Sequence, residues 1–448
     1  MAPFRASLPP GSRLGVLRHR HYRNVWLGAF ASSIGNWMEL VGVQWVVAQQ
    51  TSTPEWLDAG LPPPTIMMGY LAAAQLGPTL VLGMSGGLLA DRANRKRLLM
   101  VTQSLLMLVA ASIAVGSHLG IATPGYLLAV SLLHGIVMAF NVPAWQVLTP
   151  RLVPREDLAK AITLNGVQFN LARVLGPALG GIIMARFGAS VLFDVNTLSF
   201  AAFLFAISLT PDAPAPPHDG TSAWRRTTEA LSFVFHSRGP RAVFLGMFVF
   251  SLLGTPLLRM LPLFVSDVYH KGEDVFGLLL AIMGAGAVIG GLGMRLVPAW
   301  YPKHHFIPLA ITGGGISITV YSAATSLWLA APAMFFCGVF WLWSFNSSMA
   351  AMQLLVTDRM RGRVLAVCNT VVFGAMPLGS LLAGWVGEVA IGWGGATRGQ
   401  GVQAGVGVLG AVLAAAGLAM LTWRTPEVDA PAVADGGLER RPGLMAGL

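Results

Sequence analysis

The stretch Gly86–Arg97 (GGLLADRANRKR) joins two long apolar segments and decides how the rest of the chain is organised. An apolar segment at 65–90 precedes the main cluster of charge, and a second one at 98–117 follows it. Apolar sequence on both sides of a short charged turn is typical of two membrane-spanning helices that are joined by a cytoplasmic loop. The stretch therefore predicts a helical hairpin in a membrane.

The composition of the whole chain favours a polytopic membrane protein. Its 448 residues are 54% hydrophobic and only 11% charged, whereas soluble domains have about 25% charged residues. The net charge of +10 is compatible with nucleic-acid binding, but the basic residues concentrate in the turns between apolar segments. The two cysteines indicate neither a disulfide framework nor a metal site. We therefore expect no metal, no cofactor and no nucleic-acid partner.

Apolar segments that can cross a hydrocarbon core of about 30 Å occur twelve times. With both termini in the cytoplasm, most of the 29 Lys and Arg residues lie on the cytoplasmic side, as the positive-inside rule requires. The predicted spans are 25–49, 66–90, 98–117, 126–148, 161–185, 190–209, 242–265, 276–298, 306–325, 328–350, 364–390 and 402–423.

A polar segment divides these spans into two sets of six. Leu171–Gly181 (LARVLGPALGG) returns about 200 residues later as Val371–Leu381 (VVFGAMPLGSL), an echo expected of two parallel halves. Within the polar segment, Ala223–Phe235 has the pattern of an amphipathic helix at the inner membrane surface. The predicted parts are a cytoplasmic arm at 1–24, a bundle at 25–209, a linker at 210–241, a bundle at 242–423 and a cytoplasmic tail at 424–448.

The charged turn resembles the loop signature of the major facilitator superfamily, Gly-x-x-x-Asp-Arg-x-Gly-Arg-Arg/Lys. Asn94 stands where the signature has its second glycine, and asparagine also tolerates a left-handed turn. The resemblance implies an all-α membrane protein with twelve transmembrane helices in two pseudo-symmetric six-helix bundles. An ordinary positive-inside loop explains the basic residues but not the aspartate at its spacing from glycine. The matching residues, which the resemblance implies act as a conformational switch, are Gly87, Asp91, Arg92, Arg95 and Lys96.

A second motif lies in the fifth span, where Gly176, Pro177, Gly180 and Gly181 resemble the antiporter signature of the superfamily. Small residues on one face allow a neighbouring helix to approach closely, and proline frees a backbone carbonyl and permits bending. In the superfamily this signature tends to accompany export. A plain helix-packing motif is the alternative.

Longer runs are similar to the branch of the superfamily that contains the enterobactin exporter and macrolide-type drug pumps. These runs are Tyr22–Trp37, Asn141–Phe187 and Arg361–Val364. The resemblance implies secondary active export of an amphipathic small molecule (a drug, siderophore or secondary metabolite) by proton antiport. It also implies a monomer in the lipid of the cell membrane. At Asn36 many relatives have aspartate, so a proton site at this position has no carboxylate here.

Charged residues inside membrane spans are costly unless they are paired or face water. The resemblance implies that spans one, four, seven and ten line a central cavity. We expect Glu39 to carry the coupling proton or a cationic substrate group, with His134 and Arg259 as its electrostatic counterparts, or else to form a structural pair with an arginine. Arg173 is predicted to form a structural or gating ion pair, with substrate contact as the alternative. The remaining candidates for the cavity are Asn36, Asn141, Trp341 and Asn346.

The chain lacks the sequence motifs of enzymes that use or transform a substrate chemically. It has no nucleotide-binding P-loop and neither HExxH nor GxSxG, so we expect a transporter without catalytic residues. Two alternatives to small-molecule export remain. A cavity rich in apolar and aromatic groups could take acyl chains, which predicts lipid or lysolipid translocation. The same fold could also serve as a non-transporting membrane receptor or scaffold.

Overall fold

The structure, a computed structural model, describes residues 13–148, 151–211, 223–298 and 301–423. These residues are almost entirely helical, with no β-strand among them, so the predicted all-α class is confirmed. The helices are α1 (Arg20–Thr51), α2 (Pro54–Asp58), α3 (Pro64–Arg92), α4 (Arg95–His118), α5 (Pro124–Leu148), α6 (Leu158–Ser208), α7 (Ala223–His236), α8 (Arg238–Gly254), α9 (Pro256–Leu263), α10 (Glu273–Gly293), α11 (Lys303–Ala323), α12 (Leu327–Leu355), α13 (Asp358–Gly394) and α14 (Arg398–Met420).

The fifth and sixth predicted spans lie in one continuous helix, α6, which has 51 residues. A single residue, Gly188, departs from helical geometry with φ 83° and ψ 168°. This backbone conformation is accessible to glycine because it has no Cβ. The expected loop between the two spans is therefore reduced to one glycine kink.

The seventh predicted span, 242–265, is divided into two helices. α8 ends at Gly254 and α9 begins at Pro256, because proline cannot donate the backbone hydrogen bond that a continuous helix needs. A π-helical turn at Phe264–Val268 follows α9. The predicted eighth span also differs, since α10 ends at Gly293 rather than at 298.

Ten segments of the described residues are long and apolar enough to cross a membrane. One of them, Arg155–Ser208, contains both legs of α6 on either side of Gly188. α1 is not among the ten, although its 32 residues extend about 48 Å. The chain is thus a multi-pass membrane protein, and the number of twelve crossings stays a prediction.

The chain divides into two compact units, and α1, α3 and α10 each contribute residues to both. The second unit includes the end of α1, all of α2 and the first part of α3, which lie in the predicted half at 25–209. The first unit includes the first part of α10, which lies in the predicted half at 242–423. The first unit comprises Met1–Val47, Val81–Asp219 and Glu273–Ala281, and the second comprises Ala48–Leu80, Gly220–Gly272 and Ile282–Leu448.

In the first unit, the residues before α1 are fixed to the start of α6. Val16, in a 3-10 turn at Arg13–Arg18, is fully buried in a cluster with side chains around the start of α6. Asp157, just before α6, binds Arg18, His19 and Lys160, each at 3.0 Å. The N-terminal arm predicted at 1–24 therefore includes the beginning of α1 and a turn that packs on α6.

In the second unit, α11 packs against α12 and α14, while α13 packs against α8 and α14. The predicted amphipathic helix at Ala223–Phe235 corresponds to α7, which ends one residue later and packs on α8 and α13. An ion pair of 3.2 Å between Glu229 on α7 and Arg363 on α13 fixes the linker helix to this unit.

We expect the close contact between α10 and α12 to be sensitive to one methyl group. A Cβ atom at Gly338 would lie 1.9 Å from the carbonyl oxygen of Met283, so Gly338→Ala must force the two helices apart. The free energy of unfolding should fall by about 1–3 kcal/mol, measured as a lower Tm in detergent. The matched control is Gly362→Ala on α13, where a Cβ atom would meet no other atom within 4 Å. Equal Tm values for the two variants would contradict the predicted packing.

Candidate functional site

A buried carboxylate is the centre of the candidate site. Glu39 on α1 is only 4% exposed, and its Oε2 accepts a hydrogen bond from Nδ2 of Asn196 on α6. Nδ1 of His134 on α5 lies 3.4 Å from Oε1 of Glu39. Three helices therefore direct polar side chains toward one carboxylate inside the first unit.

A glycine on α1 makes room for this arrangement. A Cβ atom at Gly35, one helical turn before Glu39, would lie 2.4 Å from Oδ1 of Asn196 and 2.3 Å from Oγ of Ser199. A larger residue at position 35 would displace the side chains of Asn196 and Ser199 from these positions. Gly35 therefore allows Asn196 to reach the carboxylate.

The geometry makes Glu39 and His134 a candidate proton site. The Glu39 side chain is nearly inaccessible, whereas the His134 side chain keeps 22% of its surface exposed. A carboxylate in a membrane-spanning helix is costly unless it is paired, and imidazole can gain or lose a proton near neutral pH. The pair therefore joins a nearly inaccessible carboxylate to a more accessible imidazole.

Arg259, the other predicted counterpart of Glu39, belongs to the second unit. It lies on α9, where its Nη1 donates a hydrogen bond of 2.7 Å to Oε1 of Gln75 on α3. The structure thus brings Glu39 together with His134 and places Arg259 beside the amide of Gln75, which is not a predicted site residue.

Two of the predicted cavity residues make contacts within their own unit. Asn141 on α5 is buried, and its Nδ2 donates a hydrogen bond of 2.9 Å to Thr102 on α4. Trp341 on α12 packs edge-on against Phe250 on α8, with ring centroids 5.4 Å apart. Trp341 also lines a small cavity inside the second unit, together with Ser344, whose buried Oγ has no hydrogen-bond partner among the described residues.

Three further candidates are distributed between the units. Asn346 on α12 is exposed and does not line that small cavity. Asn36 on α1 is half-buried, and its Oδ1 has no hydrogen-bond partner in the described part of the chain. Arg173 on α6 is also half-buried, and no described residue forms a hydrogen bond or an ion pair with it. The pair predicted for Arg173 is therefore absent from the described residues.

The charged turn within Gly86–Arg97 is stabilised by a helix cap at Asn94 and by hydrogen bonds from Lys96. Asn94 is the N-cap of α4, with φ −63° and ψ 113°, and its side chain accepts a hydrogen bond from the backbone of Arg97. Asn94 therefore does not use the left-handed conformation that asparagine tolerates, because an N-cap residue has an extended backbone. Nζ of Lys96 donates to the carbonyl oxygens of Ser208 and Thr210 at the end of α6.

The other members of the predicted switch motif differ in burial and in the space around them. Arg95 is half-buried, whereas the side chains of Asp91 and Arg92 lie outside the described residues. A Cβ atom at Gly87 would meet nothing within 4 Å. At its neighbour Gly86, a Cβ atom would lie 2.1 Å from the carbonyl oxygen of Ala139 on α5, so Gly86 is the glycine that permits close helix packing.

The small residues of the second motif lie at two helix contacts. A Cβ atom at Gly176 would lie 2.4 Å from Cβ of Trp37, and one at Gly180 would lie 3.3 Å from Cα of Met38, both on α1. At Gly181 a Cβ atom would lie 2.8 Å from Cα of Gly277 on α10. Pro177 lies between these contacts and is buried inside α6.

Two amide side chains outside the predicted site, those of Asn196 and Gln75, contact two of the predicted charged residues. Each is a single amide side chain within a long apolar segment. Such amides hydrogen-bond across membrane helices because hydrocarbon offers no other partner. That signal was present in the sequence, but it does not indicate which helix the amide faces.

The chain has recognisable relatives among characterised transporters. It is 24% identical over 363 residues to the staphyloferrin A transporter of Staphylococcus aureus, covering 79% of this chain and 86% of the relative. It is 24% identical over 377 residues to the multidrug efflux pump Tap of Mycolicibacterium fortuitum, covering 82% of this chain and 89% of the relative.

The same fold occurs in a bacterial homologue of the human lysosomal transporter Spinster, with a TM-score of 0.68 and 14% identity. This similarity covers 91% of this chain and 96% of the other. A family model described as transmembrane secretion effector matches residues 11–437. The chain therefore belongs to this family within the major facilitator superfamily, and it is a transporter and not an enzyme.

Proposed function

We propose that this protein exports an amphipathic small molecule across the cell membrane by alternating access, in exchange for protons. The observation that carries the proposal is the buried Glu39 carboxylate with His134 3.4 Å away. The relatives add support, since one is named for a siderophore and the other for multidrug efflux. The protein acts as a monomer in membrane lipid, with both termini in the cytoplasm.

Coupling to protons requires that protonation changes the relative stability of two conformations. Protonating Glu39 would remove the negative charge that attracts a protonated His134. Asn196 could still donate a hydrogen bond to the carboxyl group, but the acceptor would no longer be charged. Helices α1, α5 and α6 meet at this carboxylate. A proton at Glu39 therefore changes the forces between three helices of one unit at once.

Alternating access also requires contacts that can open and close. Two contacts each join a helix of the first predicted half to a helix of the second, and each contact lies inside one compact unit. α6 meets α10 at Gly181 and Gly277, and Thr65 on α3 donates a hydrogen bond to Glu388 on α13. In the proposed topology both contacts are near the outer ends of the helices. Opening the outer side must separate them.

Transport itself is tested with everted membrane vesicles that contain the protein. Accumulation of a labelled macrolide, a labelled hydroxycarboxylate siderophore and a labelled lysolipid is measured with and without a pH gradient. We expect pH-dependent accumulation of at least one of the first two compounds. Movement of the lysolipid alone would favour lipid translocation, and movement of none of the three would contradict the proposed export.

The proposed topology predicts which side of the membrane each turn occupies. The native thiols Cys337 and Cys368 are buried, so an introduced exposed cysteine can be labelled selectively. We expect Arg97→Cys to react with an impermeant maleimide only after the cells are permeabilised, whereas Arg186→Cys should react in intact cells. Both arginines are exposed, which makes them a matched pair. The opposite pattern would reverse the orientation.

Removing the proton-binding group should uncouple transport. We expect Glu39→Gln to lower pH-gradient-driven accumulation by about tenfold or more while exchange of labelled for unlabelled substrate continues, because glutamine can still accept a hydrogen bond from Asn196. His134→Gln should act in the same direction. The control is Glu55→Gln on the exposed helix α2. A Glu39→Gln protein with the pH dependence of the wild type would exclude Glu39 as the coupling site.

The switch motif predicts a defect in rate without a defect in insertion. Asp91→Asn removes a negative charge that can bind helix ends or arginine in one conformation. The initial transport rate should therefore fall by about tenfold at an unchanged amount of protein in the membrane. Asp58→Asn, an exposed aspartate on α2, serves as the comparison. Wild-type rates in Asp91→Asn would refute a conformational role for this residue.

A further inference from the structure

Arg173 is a cation without a partner among the described residues, far from either end of its helix. It lies 15 residues after Leu158, the first residue of α6, which corresponds to about 22 Å along the helix axis. The side chain is half-buried, and no described residue forms a hydrogen bond or an ion pair with it. A guanidinium at such a depth is stable only where it faces water or binds an anion.

The residues on the same face of α6 define what surrounds Arg173. Phe169 precedes it by four positions and Gly176 follows it by three, so all three lie on one face of the helix. Trp37 on α1 contacts both of these neighbours. Its ring meets that of Phe169 edge-on at 6.1 Å, and its Cβ is 2.4 Å from the position of a Cβ atom at Gly176. Arg173 therefore projects from the face that Trp37 covers.

An exposed aromatic ring lies next to Trp37, and the residue that precedes Trp37 on α1 has an unsatisfied acceptor. Phe169 is 54% exposed and offers an apolar surface next to Trp37. Asn36, the residue before Trp37, has a buried Oδ1 with no hydrogen-bond partner in the described ranges. A buried polar atom normally has a partner, so a bound molecule with an N–H or O–H group would complete this position.

Glu39, the acidic residue two positions after Trp37 on α1, already has other partners. The Glu39 carboxylate accepts a hydrogen bond from Asn196 and lies within ion-pair distance of His134. The proton site and the Arg173 cation are therefore separate groups of residues in the first unit. A negatively charged ligand can bind at Arg173 without displacing a protein carboxylate.

We propose that Asn36, Trp37, Phe169 and Arg173 form a substrate subsite for amphipathic organic anions. A guanidinium binds a carboxylate through two parallel N–H bonds, and the rings of Trp37 and Phe169 contact the apolar or aromatic body of the ligand. Oδ1 of Asn36 accepts a hydrogen bond from the ligand. The proposal rests on the proposed export and specifies its substrate class as a carboxylate rather than a cation.

The test measures binding to the purified full-length protein with two probes that differ only in charge. The probes are N-dansyl-phenylalanine, a carboxylate, and its uncharged methyl ester, and binding is followed by dansyl fluorescence. We expect the wild type to bind the acid at least about tenfold more tightly than the ester, as a charge-assisted hydrogen bond implies. Equal affinities for the two probes, tighter binding of the ester, or binding of neither would overturn the proposal.

Variants assign the selectivity to individual side chains. Arg173→Gln should bind the acid no better than the ester, and Arg173→Lys should keep part of the preference because the charge remains. Phe169→Ala should weaken both probes by a similar factor, since it removes apolar contact and no charge. Arg186→Gln removes one exposed positive charge from the same helix and should leave the preference unchanged. Retention of the wild-type preference in Arg173→Gln would overturn the subsite.

Two features of the design keep the outcome decisive. Size-exclusion chromatography reports whether each variant is folded. If Arg173→Gln is not folded, the proposal is judged from the preference of the wild type for the acid and from the affinities of Arg173→Lys and Phe169→Ala. The binding assay needs no transport. Selectivity for the acid without any export in vesicles would refute the proposed function and retain the subsite, whereas export without selectivity would do the reverse.

Discussion

Hydrocarbon offers no hydrogen bonds to a polypeptide backbone, and this constraint determines most of what the chain can do. Every N–H and C=O inside the membrane must bond within its own helix, so the spans are helical and each interruption has a local cause. α6 bends where Gly188 adopts φ 83°, and α8 gives way to α9 at Pro256. Because lipid provides no hydrophobic force between helices, close packing depends on small residues, as at Gly338 and Gly176.

The same constraint explains which features the sequence could predict. Span length and charge at the turns are fixed by the bilayer, so most of the long helices and the linker helix α7 could be located from the sequence. The continuity of α6 and the break between α8 and α9 could not. The rotation of each helix about its axis depends on its neighbours, and the sequence does not specify it. The cavity expected between spans one, four, seven and ten made both His134 and Arg259 candidate partners of Glu39, whereas the polar contacts of Glu39 are with His134 and with Asn196. At the charged turn, the backbone of Asn94 is extended because this residue caps α4.

Three charged groups inside the described helices differ in their polar contacts. Glu39 accepts a hydrogen bond from an amide and lies 3.4 Å from an imidazole, and Arg259 donates a hydrogen bond to the amide of Gln75. Arg173 has no hydrogen bond or ion pair with any described residue. A satisfied charge needs no ligand, whereas an unsatisfied guanidinium is stabilised by any anion that reaches it. In the two proposals, this difference separates the residues assigned to proton coupling from the residue assigned to substrate selection.

The contacts between helices also limit how strongly a proton or a ligand must act. Glycine contacts such as Gly181 with Gly277 are stabilised by dispersion forces that are individually small, and a hydrogen bond such as that between Thr65 and Glu388 contributes about 1 kcal/mol net. Separating such contacts changes the conformational equilibrium by amounts comparable with the 1–3 kcal/mol of a typical coupling free energy. In the proposed mechanism, protonation of Glu39 therefore has to supply a coupling free energy of only this order to shift the equilibrium between the two conformations.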